Sequence, residues 1–149
     1  MFRVLFSIMA FSMMGGTASA QKQYDKNAIK NVIIEMFDGM RDSDVAKVAE
    51  AFWPDALLTT ATEVRQTDSL RSVPAALFAK SIGGTVSGEL DERITWSKIL
   101  VDGNMAMAWT PYRFFFKGKA SHSGVNLFVL TRREGHWKIQ SVMDTRHKQ

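Results

Sequence analysis

Apolar residues recur with two different periods along this chain, and the change of period divides it. Ile29, Val32, Ile33, Met36, Phe37 and Met40 fall at helical spacings, which lines one face of an α-helix. Gly39 lies near the end of that helix. Asp42 or Ser43 is placed to cap a second helix carrying Val45, Val48, Ala49 and Phe52, which Pro54 stops. Residues 57–62 are rich in β-formers and predict a strand. The short polar stretch after it leaves room for a second, brief strand. Ser72 and Pro74 then open a third helix over residues 75–82. Proline suits a first turn because its missing N–H has no partner there, and Gly83-Gly84 ends the helix.

From Leu90 onward the period shortens. Residues 94–101, 105–116, 121–132 and 137–146 predict four strands. Tight turns at Asp102-Gly103, Lys117-Gly118-Lys119 and Glu134-Gly135 separate them. Pro111 marks a bulge or an edge position. Helices followed by a strand meander describe an α+β domain. Strands of ten or more residues bend, and a bent sheet with helices on its concave side leaves space between the layers.

The first residues read differently. Arg3 precedes an apolar run over residues 4–14, broken only by Ser7 and Ser12. Gly15-Gly16 interrupts any helix, and Ala18-Ser19-Ala20 offers the small-x-small pattern of a signal-peptidase site. The run is shorter than the roughly 20 residues that span a bilayer. The expectation is a signal peptide over residues 1–20, cleaved after Ala20, and a single domain over residues 21–149 in the periplasm or outside the cell, with no membrane anchor. The chain has no cysteine, so neither a disulfide nor a lipid-modified cysteine is available. Net charge is +4, but acidic and basic residues alternate, as at Asp25-Lys26 and Glu92-Arg93. Lys117 with Lys119, Arg132-Arg133 and Arg146-His147-Lys148 are short clusters at strand ends, which argues against a nucleic-acid partner.

The order of elements resembles the nuclear transport factor 2-like superfamily, over about residues 26–147. There, three helices pack into a strongly curved antiparallel sheet to make a cystatin-like cone. Local motifs are similar to small exported bacterial proteins described as SnoaL-like or lumazine-binding. They are Val101-Asp102-Gly103-Asn104, Ala108-Trp109-Thr110-Pro111-Tyr112, Ser121-His122-Ser123-Gly124-Val125-Asn126, Gly135-His136-Trp137-Lys138-Ile139 and Asp144-Thr145-Arg146. The resemblance implies a small-molecule pocket and dimerisation through the convex sheet face. Ketosteroid isomerases share the cone but need a tyrosine on the first helix. Here the tyrosines are Tyr24, ahead of the predicted helix, and Tyr112, on a strand.

Candidate chemistry gathers on the last strands. Side chains alternate faces along a strand, so His122, Gly124, Asn126 and Phe128 share one face, and Gln140, Val142, Asp144 and Arg146 another. A two-residue Glu134-Gly135 loop pairs Arg133 with His136 and sets Asp144 opposite Val125, away from His122. A longer loop or a bulge sets Asp144 opposite Gly124 or Asn126, on the same face as His122. Register decides between them. If the two meet, the carboxylate favours a protonated imidazole, and Asp144 and His122 become a catalytic acid–base pair. Tyr112 could then donate to a developing oxyanion. Asn126, Phe128 and Tyr112 are candidate ligand contacts. Arg146, with Arg113, could read an acidic group, and Trp53 and Trp109 could stack on a flat ring.

The run Phe114-Phe115-Phe116 makes both sheet faces apolar there, and a homodimer would cover the outer one. His122, His136 and His147 have no spacing that suits a metal, and no cofactor fingerprint occurs. Three functions fit. The first is an exported binding protein for a small hydrophobic or ring-containing ligand. The second is a cofactor-independent isomerase, cyclase or dehydratase using Asp144 and His122. The third is a dimeric partner-binding scaffold with a vestigial pocket.

Overall fold

The first helix, α1 (Gly15–Asp42), buries the face its spacing predicts. Ile29 and Ile33 have no exposed surface, and Met36, Phe37 and Met40 are buried beside them. The structure, a computed structural model, describes residues 15–64 and 67–148; the apolar run expected to lead a signal peptide lies outside them. α1 begins earlier than expected, because glycine at positions 15 and 16 costs a helix only about 1 kcal/mol each and does not forbid it. The helix therefore continues back through Ala18-Ser19-Ala20 and includes Tyr24. Residues 18–24 are nonetheless exposed, so the docked part of α1 starts at Asp25.

Asp25 is buried, and its Oδ1 is the anchor of that end. It accepts hydrogen bonds from Arg132 Nη1 at 2.9 Å and from Trp137 Nε1 at 3.2 Å, tying helix to sheet. Replacing Asp25 by alanine strips an indole donor and a guanidinium of their acceptor. Arg132 keeps some access to water, so we expect a loss of about 2 kcal/mol rather than the 3–5 of a fully buried pair. A shift of the urea midpoint measures it, and an unchanged midpoint would mean that this end of α1 is not anchored.

A turn with Ser43 at φ 60° leads into α2 (Val45–Glu50), capped by Asp44, whose Oδ1 accepts from Lys47 N at 2.9 Å. The cap is thus one residue later than Ser43 and two later than Asp42, the residues the sequence suggests. Phe52 and Pro54 belong not to α2 but to β1 (Phe52–Val64). Pro54 is tolerated there because pairing with the neighbouring strand is irregular between Phe52 and Leu57. The brief second strand is β2 (Thr67–Pro74), a hairpin partner of β1, and α3 (Ala75–Ile82) follows with the predicted limits.

The predicted strand over residues 94–101 is two strands, β3 (Leu90–Ile94) and β4 (Lys98–Asp102). Both pair with the same edge of β5 (Met105–Phe116). Pro111 faces the gap between them, where it has only a carbonyl to offer, and Thr95 N bonds that carbonyl at 2.8 Å. β6 (Lys119–Arg133), β7 (His136–Thr145) and the short β8 (His147–Lys148) complete the sheet. Its order is β2-β1-β7-β6-β5-β3, with β4 beside β5 and β8 beside β6. The pairing of β1 with β7 is parallel, so the curved sheet is mixed rather than wholly antiparallel. Phe128, Leu130 and Ile139 on its concave face are fully buried against the helices. The rings of Phe37 and Phe128 meet edge-to-face with centroids 5.9 Å apart.

The β6–β7 hairpin settles the register. Arg133 pairs with His136 across the two-residue loop, and Leu130 with Ile139. The next pair is Val129 with Ser141. Gln140 is therefore an extra residue in β7, a bulge that turns the rest of the strand over. Asp144 lands opposite Asn126, on the concave face.

Candidate functional site

Between the concave face and the helices lies a cavity of about 290 Å³. Its roof is apolar: Met36, Phe37 and Met40 from α1, Phe52 from β1, and Phe78 and Ile82 from α3. The sheet supplies Leu58, Leu90, Phe114, Phe128 and Val142. One wall is polar, built from Glu92, Tyr112, His122, Asn126, Asp144 and Arg146. Its volume is at the lower end of the roughly 300–1,000 Å³ typical of small-molecule sites, which combine apolar linings with a few placed polar groups.

Asp144 is the most heavily bonded group in that wall. Thr60 Oγ1 donates to its Oδ1 at 2.6 Å, and Arg146 Nε donates to its Oδ2 at 2.9 Å. The hydroxyl of the buried Tyr112 lies 3.3 Å from Oδ2 and 2.9 Å from the carbonyl oxygen of Thr145, its closer acceptor. Burial, reinforced by the nearby Asp144 and Glu92 carboxyls, pushes the Tyr112 phenol above its ordinary range, so it stays a donor.

The bulge brings His122 into the same wall as Asp144, but the two share no hydrogen bond among the described residues. His122 Nδ1 lies 3.1 Å from Ser121 Oγ, and its ring packs against those of Phe114 and Tyr112. Its pKa falls below the ordinary 6.5: burial lowers it, Arg146 lowers it further, and Asp144 opposes both. Asp144 does favour the protonated ring, but desolvation and the guanidinium outweigh one carboxylate already engaged by Arg146.

Glu92 is the group that sequence reasoning missed. The sequence shows it only as one of the interspersed charges, beside Arg93, but β3 turns the two to opposite faces. Asn126 Nδ2 donates to Glu92 Oε1 at 2.6 Å. The residue keeps a little surface in the cavity, while its carboxyl sits deep among protein atoms. Desolvation lifts its pKa to about 7, with Asn126 working against the rise and Asp144 adding to it. The alternation Leu90, Glu92, Ile94 held the signal: a carboxylate between two apolar residues on one strand face.

Tyr112, Asn126, Phe128 and Arg146 all line the cavity, Arg146 because the bulge turns it inward together with Asp144. Trp53 and Trp109 do not. Trp53 lies outside, donating its Nε1 to the Thr131 carbonyl at 3.1 Å beneath the cations of Arg133 and Lys138. Trp109 falls at an odd position of β5, which points it to the convex face, where it is half exposed. Arg113 also lies outside the cavity, opposite Arg93 in the β3–β5 pairing. Among the described residues no cluster of three or more potential metal ligands occurs, and no helix is long and apolar enough to cross a membrane.

Comparison with solved structures places this arrangement in a known fold. A nuclear transport factor 2-like protein of unknown function from Shewanella baltica superposes with a TM-score of 0.66 at 18% identity, covering 85% of this chain and 96% of that one. A nuclear transport factor 2-like protein with a cystatin-like fold from Novosphingobium aromaticivorans gives 0.72 at 14% identity, over 91% and 90%. A domain of unknown function with a cystatin-like fold from Nostoc punctiforme gives 0.65 at 19%, over 85% and 79%. No curated protein matches the chain. Residues 24–143 match the model of the family described as "Putative lumazine-binding". With most of its length matched, this chain belongs to that family, and its fold is that of the nuclear transport factor 2-like proteins.

Proposed function

We propose that this is an exported binding protein for a small, partly apolar or ring-containing molecule, held in the cavity between helices and sheet. The carrying observation is the division of that cavity into an apolar roof and a polar wall presenting Tyr112, Asn126, Glu92, Asp144 and Arg146. Such a division suits a ligand with an apolar body and a few hydrogen-bonding groups at one edge. The family's description supports small-molecule binding. Export rests on the leader residues 1–20.

A thermal-shift screen against flavins, lumazines, pterins, sterols and aromatic polyketides tests the reading. A ligand at 100 times its Kd stabilises by about 2.7 kcal/mol, worth roughly 8–10 °C in a domain of this size. The shift should shrink in His122→Ala and Asp144→Asn. No response across the panel would move weight to a partner-binding scaffold.

Dimerisation through the convex face belongs to the same proposal. Leu57, Leu100, Met105, Trp109 and Met143 are exposed large apolar residues, each on a sheet strand. A patch of that kind on a soluble protein marks an interface. Light scattering should give twice the chain mass for the native protein and a single chain mass for Trp109→Glu. A native monomer at high concentration would remove this part of the reading.

One observation favours a second reading, a cofactor-independent isomerase, cyclase or dehydratase. A carboxyl that exchanges its proton near neutral pH, as Glu92 does, suits general acid–base work. On that reading Glu92 and Asp144, rather than His122, would carry the proton. Any ligand from the screen that turns over should lose turnover in Glu92→Gln while keeping its affinity within tenfold, about 1.4 kcal/mol.

A further inference from the structure

The polar wall does not stop at the edge of the cavity. Asn126 pairs with Asp144, Asp144 with Thr60, and Thr60 with Arg71. Register alone therefore lines up four polar side chains across β6, β7, β1 and β2, all on one face, over three strand spacings or about 14 Å. Beyond Asp144 this row enters a second hollow of about 530 Å³, whose polar lining is Thr60, Thr62, Ser69, Arg71, Ser81 and Arg146. The two spaces are neighbours: Phe78, Ser81 and Arg146 line both. Arg146 stands at the junction. Only its Nε is taken up by Asp144 among the described residues, which leaves the outer edge of the guanidinium to the hollow. Among the residues whose side chains are described, no carboxylate lines the hollow itself.

We propose that this hollow seats the oxyanion end, carboxylate or phosphate, of an amphipathic ligand whose apolar body fills the cavity. The inference rests on the cavity being a ligand site and adds the ligand's charge and length. Two guanidinium groups at one end of an apolar chamber recognise an oxyanion by charge-assisted, fork-shaped hydrogen bonds. Of the hydroxyls of Thr62 and Ser69, 2.9 Å apart, one donates to the other, which leaves the second as a further donor to the oxyanion. Asp144 would repel an incoming anion on its own, but Arg146 and Thr60 already occupy its oxygens.

Decanol, decanoate and decyl phosphate separate the two ideas, with affinities measured by calorimetry on the full chain. Decanoate or decyl phosphate should bind at least tenfold more tightly than decanol, and whichever is preferred identifies the oxyanion. Arg71 is exposed on the sheet's outermost strand, so Arg71→Gln should fold with an unchanged Tm. It should reduce the anion's advantage severalfold and leave decanol binding as it was. Equal affinity of decanol and both anions, or a full anion advantage in Arg71→Gln, overturns the hollow as an oxyanion seat while leaving the cavity reading intact. If none of the three binds, the hollow as an oxyanion seat is overturned, and the thermal-shift panel of ring ligands decides the cavity reading separately.

Discussion

Replacing Gly124 by alanine is expected to cost about 4 kcal/mol and to disable the polar wall. A Cβ at this position would fall far inside contact distance of the Thr145 carbonyl oxygen, 2.8 Å from its carbonyl carbon and 3.0 Å from Tyr112 Cε1. The obstruction is backbone, which cannot rotate out of the way as a side chain would. The end of β7 must back off, and two bonds depend on its position. Tyr112 donates to Thr145 O at 2.9 Å, and Val125 N donates to Thr145 Oγ1 at 3.2 Å. Overpacking alone costs about 1–3 kcal/mol, and each lost hydrogen bond adds about 1. Urea denaturation measures the sum. Ligand affinity should fall with it, since Tyr112 and Asp144 lose their placement together. A midpoint within a few tenths of a molar of the native value would mean that the strand end yields freely.

Glu92→Gln is expected to do the opposite at alkaline pH. The folded protein holds the Glu92 proton up to about pH 7, whereas the unfolded chain releases it near 4.5. Between these values the folded state binds more protons, so stability from this group falls as pH rises. The penalty is absent below about 4.5, grows through the window and is complete above about 7. At about 1.4 kcal/mol per pH unit it reaches about 3 kcal/mol. Glutamine keeps an oxygen for Asn126 Nδ2 and carries no charge, so the variant should gain up to that amount at pH 8 and nothing at pH 4. Asp144, Arg146 and Tyr112 face the same space, and the comparison is made at fixed pH so that their contributions cancel. A variant no more stable than the native protein at pH 8 would mean that water reaches the Glu92 carboxyl.

Local pattern carried much of this architecture. The inward face of α1, the limits of α3, and the turns at Gly103, Gly118 and Gly135, with φ between 56° and 83°, follow from spacing, from proline's missing donor and from glycine's freedom at positive φ. Those are properties of a few consecutive residues, so the sequence alone determined them, and with them the α+β class. Tertiary structure decided what depends on partners distant in the chain. Nothing in the residues around Gln140 announces a bulge, since it exists only because β7 must satisfy β6 on one side and a parallel β1 on the other. That extra residue turns Asp144 inward. Trp53 and Trp109 look like ligand contacts until strand parity and the Thr131 carbonyl claim them. Glu92 looks like a surface charge until β3 seats it against Asn126, 34 residues away. Side chains reverse with every single-residue slip of a strand, so the chemistry of the cavity was set by long-range register, which no local window of sequence contains.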